Sequence, residues 1–196
     1  MHRVFVGLSL PGDTREVLTG CRESMCVADP GLRAERWVAP RNLHVRLAFL
    51  GATSDEELSL TATCVEEIAA RCKRPTLTFS DAIAVPRPAR ASMIWVNAED
   101  RTGALAALVA ELDRTLASLG FQARQRPFYG HVTLVRFRTP QALQPDVLTA
   151  ASRTLTTASA HDTTDVSVPQ VTVFTSELKP DGPMYAAYRS TTLAGD

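Results

Sequence analysis

Two segments of the chain share a histidine pattern that could carry proton-transfer chemistry. Residues 44–47 read His-Val-Arg-Leu and residues 131–134 read His-Val-Thr-Leu, so the two histidines lie 87 residues apart. The chain has only four histidines, and imidazole is the side chain that both donates and accepts protons near neutral pH. Two imidazoles on opposite sides of one reacting group would supply an acid and a base.

The first segment, LHVRLAFLG at 43–51, has the alternation of a β-strand, in which successive side chains point to opposite faces. His44 and Arg46 would then lie together on the open face. A core strand that displays two polar side chains in this way is a candidate for a functional surface. The apolar side chains predicted to line its buried face are Leu43, Val45, Leu47 and Phe49.

The second segment repeats this arrangement. His131 and Thr133 are predicted to share one face of their strand, whereas strict alternation places Arg136 and Arg138 on the opposite face, in a solvated or ion-paired role. The order of strands and helices around the two segments also repeats loosely. Two half-similar lobes that face each other would bring one histidine from each lobe to a shared cleft.

Composition limits the class of protein. The chain has 196 residues, enough for a single domain with a substantial core. Its 21 basic and 21 acidic residues give zero formal net charge, which argues against a broad surface for long duplexes. No segment is long and apolar enough to span a bilayer, and the first residues resemble a strand rather than a secretory leader. Cys21, Cys26, Cys64 and Cys72 form no C-x-x-C pair, so we expect reduced thiols and a cytoplasmic protein.

Apolar periodicity predicts strands that come in pairs between helices, which is typical of an α+β fold with a largely antiparallel sheet. Strands are predicted at 3–10, 36–38, 43–50, 75–85, 91–98, 165–178 and 184–193, with a further strand through His131 within the stretch 126–137. Helices are predicted from Asp13 or Thr14 to about 26, after the cap Ser54 to about 71, over 101–119 and from Pro140 to about 155. No linker is long enough to separate independent domains, so residues 1–196 are treated as one.

Five fragments along the chain, two of which contain the histidine segments, resemble the two-histidine (2H) phosphoesterase superfamily, in particular its RNA 2′,3′-cyclic phosphodiesterases of the LigT type, also called 2′-5′ RNA ligases. In chain order these fragments are RVFVGLSLP, WVAPRNLHVRLAFLG, VPRPARASMIWV, RPFYGHVTLVRF and VTVFTSELKPDGPMY. The resemblance covers nearly the whole length. It implies a bilobal α+β fold, with pseudo-symmetric lobes of largely antiparallel sheet and flanking helices around a central cleft.

The resemblance also implies an activity and the roles of the residues. It implies metal-independent hydrolysis of RNA 2′,3′-cyclic phosphodiester ends to 2′-phosphates without a cofactor, with His44 as proton donor, His131 as proton acceptor and Thr133 binding the phosphate. The same histidines could run ring opening backward, which is 2′-5′ RNA ligation. RNA ends or nucleotide 2′,3′-cyclic phosphates would be the partners of a monomer that binds no membrane. The alternatives are an RNA-end-binding module with weak or no turnover, and a phosphodiesterase for a small cyclic nucleotide.

The chain departs from the family pattern at two positions. Arg46 stands where the family has Thr or Ser, and three interpretations are open. Arg46 clamps the reacting phosphate through its planar fork of donors, or it contacts a second nucleotide phosphate or a carboxylate, or the first segment is degraded and activity is weak. Gly130 stands where the family usually has proline, which we expect to affect local stiffness more than chemistry.

Further side chains near the second segment are weaker candidates. Arg126, on a turn before the strand, could reach the cleft, and Tyr129 could stack on a base or simply pack. Arg87 and Arg90 could follow an RNA backbone, although surface solvation is the simpler expectation. The other two histidines, His2 and His161, are expected at the surface.

Overall fold

The structure is a computed structural model that describes residues 1–159, 165–179 and 182–195. Its helices are α1 (Gly12–Ala28), α2 (Asp55–Ala69), α3 (Ala104–Ser118) and α4 (Pro145–Ser159). Its strands are β1 (His2–Ser9), β2 (Arg36–Trp37), β3 (His44–Thr53), β4 (Thr76–Val85), β5 (Ala91–Asp100), β6 (His131–Gln141), β7 (Asp165–Ser167), β8 (Gln170–Lys179) and β9 (Gly182–Thr192).

The strands form one nine-stranded sheet in the order β7-β4-β5-β6-β3-β1-β8-β9, with β2 paired to β6. Every pairing between the strands is antiparallel. Helices α1 and α4 pack together on the β4 side, while α2 and α3 pack together against β8, β9 and β3. The predicted α+β fold with two antiparallel lobes is thereby confirmed.

The two lobes meet where β3 lies beside β6. Among the described residues, the register between these strands consists of a single pair, Val45 opposite Val132. Both valines are completely buried, so the junction belongs to the core, while the side chains on either side of each valine turn to the opposite face. The seam between the lobes therefore runs beside His44 and His131.

Buried apolar side chains from both lobes form a continuous core. Alternate residues of β1, such as Val6 and Leu8, and one stripe of α3, including Leu108 and Leu112, are fully buried. Truncating a buried leucine to alanine typically costs about 2–5 kcal/mol. This packing, rather than hydrogen bonding alone, holds the strands that carry the histidines.

Several predicted boundaries are confirmed and others are wrong. Helix α2 begins as predicted, with a capping box in which Ser54 and Glu57 bond each other's backbone N–H. Helix α1 starts at Gly12, directly after Pro11, so neither Asp13 nor Thr14 caps it. The other differences are that β3 continues past Gly51, that β6 continues to Gln141 and delays α4 to Pro145, and that the strand predicted at 165–178 is two strands interrupted at Val168–Pro169.

A β-bulge interrupts each histidine strand at the same place. Between β1 and β3 the register passes from Val6–Ala48 to Gly7–Arg46 and skips Leu47. Between β5 and β6 it passes from Ile94–Val135 to Trp95–Thr133 and skips Leu134. An extra residue of this kind shifts the alternation of every side chain that follows it.

The bulges change the placements that rest on strict alternation, and Arg138, which follows the same bulge as Arg136, is exposed with its backbone N–H bonded to Glu35. Phe49 was expected in the core, but its side chain is 50% exposed. Arg136 was expected on the face opposite His131, but the bulge puts it on the histidine side of β6, where its charge acts on both histidines. The doublets Leu47–Ala48 and Leu134–Val135, all buried, are the visible sequence signal of this shift.

No helix in the described part of the chain is long and apolar enough to cross a membrane. The four cysteines are free thiols, as predicted; Cys21 and Cys26 are buried and the other two are partly buried. Burial raises the pKa of the Cys21 thiol to about 12, so this residue packs as a small apolar side chain.

Candidate active site

His44 is the first residue of β3, and its ring is surrounded by aromatic side chains. Its ring centroid lies 4.8 Å from that of Phe5, 5.3 Å from that of Tyr185 and 6.0 Å from that of Phe174. A Cβ on Gly7, directly below, would lie 3.4 Å from the His44 ring and 3.0 Å from the Val45 carbonyl oxygen. These contacts come from β1, β8 and β9, so three strands distant in sequence fix one imidazole.

His131 occupies the equivalent place at the start of β6. Its ring stacks on Trp95 of β5, with centroids 3.8 Å apart and planes 18° apart. Tyr129 lies two residues before His131, and the centroids of the two rings are 6.3 Å apart. The Tyr129 hydroxyl donates a hydrogen bond to Asn97 Oδ1 at 2.7 Å. The half of the sheet that contains β5 therefore orients the second imidazole.

Both histidines make the same backbone hydrogen bond. His44 Nδ1 lies 2.7 Å from the carbonyl oxygen of Asn42, and His131 Nδ1 lies 2.8 Å from that of Tyr129, in each case two residues earlier. Because a carbonyl oxygen only accepts hydrogen bonds, Nδ1 of each ring must carry the hydrogen. Each Nε2 is then left to accept a proton when its ring is neutral, or to donate one when the ring is charged.

The register at the seam places these groups side by side. With Val45 opposite Val132, antiparallel pairing sets His44 across from Thr133 and Arg46 across from His131, all on the face away from the core. Directly opposed side chains have Cβ atoms about 5 Å apart, and diagonal neighbours lie roughly 7–8 Å apart. The diagonal here joins His44 to His131, and the two rings are close enough for the charge of His131 to lower the pKa of His44.

The electrostatic environment favours the neutral form of both rings. Burial lowers the pKa of His44 to about 4, with further lowering by the charges of Arg46, Arg136 and His131, while the hydrogen bond to Asn42 acts in the opposite direction. Burial likewise lowers the pKa of His131, and Arg46 and Arg136 add to the effect. A bound anion would reverse part of this shift, because negative charge stabilises an imidazolium.

Thr133 and two arginines complete the site. Thr133 is half-buried and lies on the His131 face, beside Trp95. Arg136 donates from Nη1 to the sulfur of Met93 at 2.8 Å, and the Arg46 guanidinium lies 5.8 Å from the centre of the Phe49 ring. Neither arginine forms an ion pair with any residue that the structure describes, so two positive charges near the histidines have no counter-charge.

The weaker candidates lie around this centre. Tyr129 is 49% exposed and lies before the strand, next to His131. Arg126 is exposed and makes no hydrogen bond or ion pair within the described ranges. Its neighbour Arg124 reaches inward instead, donating to both Asp113 carboxylate oxygens and to the Leu47 carbonyl. The loop arginines Arg87 and Arg90 are exposed, which agrees with the expectation that they are solvated at the surface.

The structure explains why position 130 is a glycine, which the sequence did not reveal. Its carbonyl accepts the Ala98 N–H at 2.9 Å, and a Cβ at this position would lie 2.3 Å from the Ala98 carbonyl oxygen. That distance is shorter than any real contact, so glycine is required for β5 and the turn before His131 to lie together. The expectation that this position affects local stiffness misses the close backbone approach.

Of the other two histidines, only His2 lies in the part of the chain that the structure describes, and it is remote from the histidine pair. His2 Nε2 lies 2.6 Å from the Asp55 carboxylate at the surface, and His161 falls outside the described residues. No group of three or more His, Cys, Asp or Glu side chains in the described ranges is arranged to hold a metal ion.

Comparison with known proteins decides the family. The family model described as "LigT like Phosphoesterase" matches residues 96–185. The RNA 2′,3′-cyclic phosphodiesterase of Escherichia coli (strain K12) is 32% identical over 69% of this chain and 72% of its own length. The chain belongs to the LigT-like phosphoesterases. A second relative of the same name, from Aeropyrum pernix, is 29% identical over 76% of this chain and 80% of its own length.

Solved structures agree with the LigT-like fold. A protein of Thermus thermophilus superposes with a TM-score of 0.77 at 23% identity, covering 99% of both chains. Escherichia coli LigT complexed with 3′-AMP superposes with a TM-score of 0.72 at 23% identity, covering 98% of both chains. At this level of identity the likeness establishes the fold.

Proposed function

We propose that this LigT-like chain hydrolyses RNA 2′,3′-cyclic phosphate ends to 2′-phosphates. The observation that supports this most directly is the matched pair of imidazoles at the starts of β3 and β6. Each is held through Nδ1 by the carbonyl two residues before it, which leaves Nε2 for proton transfer. The names of the relatives add the substrate, since the Escherichia coli and Aeropyrum pernix proteins are both RNA 2′,3′-cyclic phosphodiesterases.

In the proposed reaction the two rings act on opposite sides of phosphorus. Neutral His131 takes a proton from a water molecule, whose oxygen forms the new bond to phosphorus. The bond from phosphorus to the ribose O3′ breaks, and protonated His44 gives its proton to that oxygen. The products are a 2′-phosphate and a free 3′-hydroxyl. One strand could not place an acid and a base on both sides of one phosphorus, which explains why the site needs two lobes.

Side chains around the rings would stabilise the charge that gathers on the non-bridging phosphoryl oxygens. Thr133 offers a hydroxyl, and Arg136 offers a guanidinium that lies near both histidines. Donors placed at developing charge typically contribute a factor of about 10²–10³ in rate each. Sequence reasoning selected Thr133 and missed Arg136, because the bulge in β6 is invisible to strict alternation.

Binding of the substrate would favour the protonated form of His44, which is the acid of the reaction. In the free protein burial holds the pKa of His44 near 4, so this ring is mostly neutral at pH 7. The negative phosphate raises that pKa when it binds, and His44 then carries the proton that the leaving oxygen needs. His131, whose pKa also lies below 6.5 in the free protein, starts neutral, as a base should.

The deciding experiment is an assay with an oligonucleotide 2′,3′-cyclic phosphate in the presence of EDTA, followed by identification of the product. We expect conversion to the 2′-phosphate alone, unaffected by the chelator, because no step in the proposed route uses a metal ion. Tight binding without conversion would identify an RNA-end-binding module instead. Loss of turnover with EDTA would contradict the metal-independent route.

The same pair of histidines can in principle run ring opening in reverse, with an RNA 5′-hydroxyl as the nucleophile. We expect hydrolysis to dominate because water is in great excess. A small cyclic nucleotide as the substrate remains the alternative, and comparing turnover of mononucleotide and oligonucleotide substrates separates the two. That the protein acts as a cytoplasmic monomer stays a prediction.

A further inference from the structure

A cationic cluster lies beside the histidine pair on the same open surface. It consists of Arg3 of β1 and Phe49 and Arg46 of β3. The guanidinium carbons of Arg3 and Arg46 lie 5.1 and 5.8 Å from the centre of the Phe49 ring. We call these three residues the Arg3–Phe49–Arg46 cluster. A ring face attracts a guanidinium within about 6 Å, so Phe49 holds both cations in place.

The cluster extends away from the reacting centre. Phe49 comes three residues after Arg46 along β3, which corresponds to roughly 10 Å at the usual strand rise. Arg46 therefore leans along the strand toward Phe49, in the direction away from His44. The charge of Arg46 nevertheless acts on both histidines, as does that of Arg136 on the neighbouring strand. Arg46 therefore lies near both the histidine pair and Phe49, and Arg3 is the cation of the cluster that belongs to it alone.

The charges of the cluster are not neutralised. Within the described residues neither Arg3 nor Arg46 forms an ion pair, whereas nearby Arg124 is paired with Asp113. The pKa of Arg46 is lowered, first by desolvation and then by the charges of Arg136, Arg3 and Arg124. Such a concentration of positive charge on a chain of zero net charge attracts an anion.

Space for more than a phosphate lies next to the cluster. An open depression of about 400 Å³ has Phe49 on one wall and is lined further by apolar side chains such as Leu116 and Phe121, by Gln122 and Gln125, and by the paired Asp113 and Arg124. Sites for small molecules have volumes that begin near 300 Å³, and this one combines apolar side chains with many polar groups. The depression is large enough for a nucleoside, with glutamine amides that can bond a base edge.

We propose that the Arg3–Phe49–Arg46 cluster is a second phosphate site, which binds the phosphodiester that joins the terminal nucleotide of an RNA to its neighbour. The neighbouring nucleoside then lies over the depression beside Phe49. This inference rests on the proposed function for the identity of the reacting end. It assigns Arg46 a part in substrate selection: the protein distinguishes an RNA end from a mononucleotide cyclic phosphate.

The test compares a dinucleotide and a mononucleotide 2′,3′-cyclic phosphate in the wild-type protein, Arg46→Thr and Arg3→Gln. Arg153→Gln, which removes one exposed charge from α4, is the matched control. Arg3→Gln should lower kcat/KM for the dinucleotide by about tenfold or more, the usual effect of losing a charged hydrogen bond, while the mononucleotide changes by less than about twofold. Arg46→Thr should lower the ratio of dinucleotide to mononucleotide kcat/KM by about tenfold or more; the ratio is used for this variant because the charge of Arg46 also acts on both histidines. The salt dependence of the dinucleotide reaction should also weaken in both variants.

Other results overturn the inference without touching the proposed function. An equal loss on both substrates would place Arg46 on the reacting phosphate, and unchanged dinucleotide kinetics would leave the cluster without a role. If the wild-type protein turns over neither substrate, the proposed function fails, and binding decides the inference. The dinucleotide 2′-phosphate should then still bind at least about tenfold more weakly to Arg46→Thr than to the wild type, and equal affinity would overturn it.

Discussion

At the scale of single residues, the site consists of two imidazoles whose tautomers are set by the backbone. The carbonyls of Asn42 and Tyr129 accept from Nδ1 of His44 and His131, so both rings offer the same atom to a ligand. Aromatic neighbours differ on the two sides: Phe5 and Tyr185 surround the first ring, and Trp95 stacks on the second. The two rings are thus alike in their hydrogen bonding and different in their surroundings.

Replacing either imidazole should remove an acid or a base and nothing else. We expect His44→Ala and His131→Ala each to lower kcat by about 10²–10⁴, the usual contribution of a positioned proton-transfer group. Steady-state kinetics with a 2′,3′-cyclic phosphate measures the loss, and circular dichroism with thermal melting checks that the fold is kept. A variant that is fully folded and retains near-wild-type rate would remove that histidine from the reaction.

The protonation states of the two rings predict a specific pH dependence. The proposed reaction needs His44 charged and His131 neutral. In the free protein, however, the pKa values of both histidines lie below the ordinary 6.5. We expect kcat/KM to rise as pH falls from 8 through 6, to reach its maximum between the pKa of His44, about 4, and the lowered pKa of His131, and to decline at lower pH because His131 is then protonated too. Bound phosphate raises both pKa values, so the kcat profile should be centred at higher pH than the kcat/KM profile. Coincident profiles would contradict this account.

At the scale of secondary-structure elements, the two bulges decide which side chains reach the site. Both fall at the fourth residue of the histidine segment, Leu47 in β3 and Leu134 in β6. They bring the fifth residue after each histidine, Phe49 or Arg136, to the histidine face. The pseudo-symmetry of the lobes therefore extends to irregularities of the strands, and an aromatic side chain in one lobe corresponds to an arginine in the other.

A pair of arginine variants tests the consequence of the β6 bulge. Arg136→Gln should lower kcat/KM by about tenfold or more, because a guanidinium near both rings is lost. Arg138→Gln removes the same charge two residues further from His131, where the described contact is a backbone bond to Glu35, and should change kcat/KM by less than about twofold. Equal effects of the two changes, measured on one cyclic phosphate, would show that Arg136 acts only through general charge.

At the scale of the whole molecule, a single core links two halves that share few strand contacts. The sheet crosses from one lobe to the other at Val45–Val132, while buried apolar residues of both lobes belong to one cluster. A substrate bound at the seam would touch both halves at once. That residues 1–196 fold as one domain remains a prediction from the sequence.

Cooperative unfolding would test this prediction. Trp37 and Trp95 both lie in the half that contains β2 and β5, whereas far-ultraviolet circular dichroism reports on helices of both halves. We expect one urea transition with the same midpoint by tryptophan fluorescence and by circular dichroism, as for a two-state domain. Separate midpoints would show that the lobes unfold independently. Leu108→Ala should shift both signals together to lower urea, by about 2–5 kcal/mol in the free energy of unfolding.

Much of this protein could be predicted from local patterns. Alternation and capping residues are properties of adjacent side chains, so the sequence by itself determined the α+β class, the start of α2 and the pairing of His44 with Arg46 and of His131 with Thr133 on shared faces. Its fragments also indicated the family, which the comparisons confirm. These features need no knowledge of which strand lies beside which.

Only the tertiary structure decided the surroundings of the two rings. The bulges depend on strand register, which is set by pairing with β1 and β5, and so the placement of Phe49 and Arg136 could not be read from one strand alone. The aromatic side chains around His44 come from β1, β8 and β9, and the close backbone approach at Gly130 comes from β5. Contacts between residues far apart in sequence leave no periodic pattern in any one segment. This is the physical reason that this part of the site could not be predicted from the sequence and required the tertiary structure.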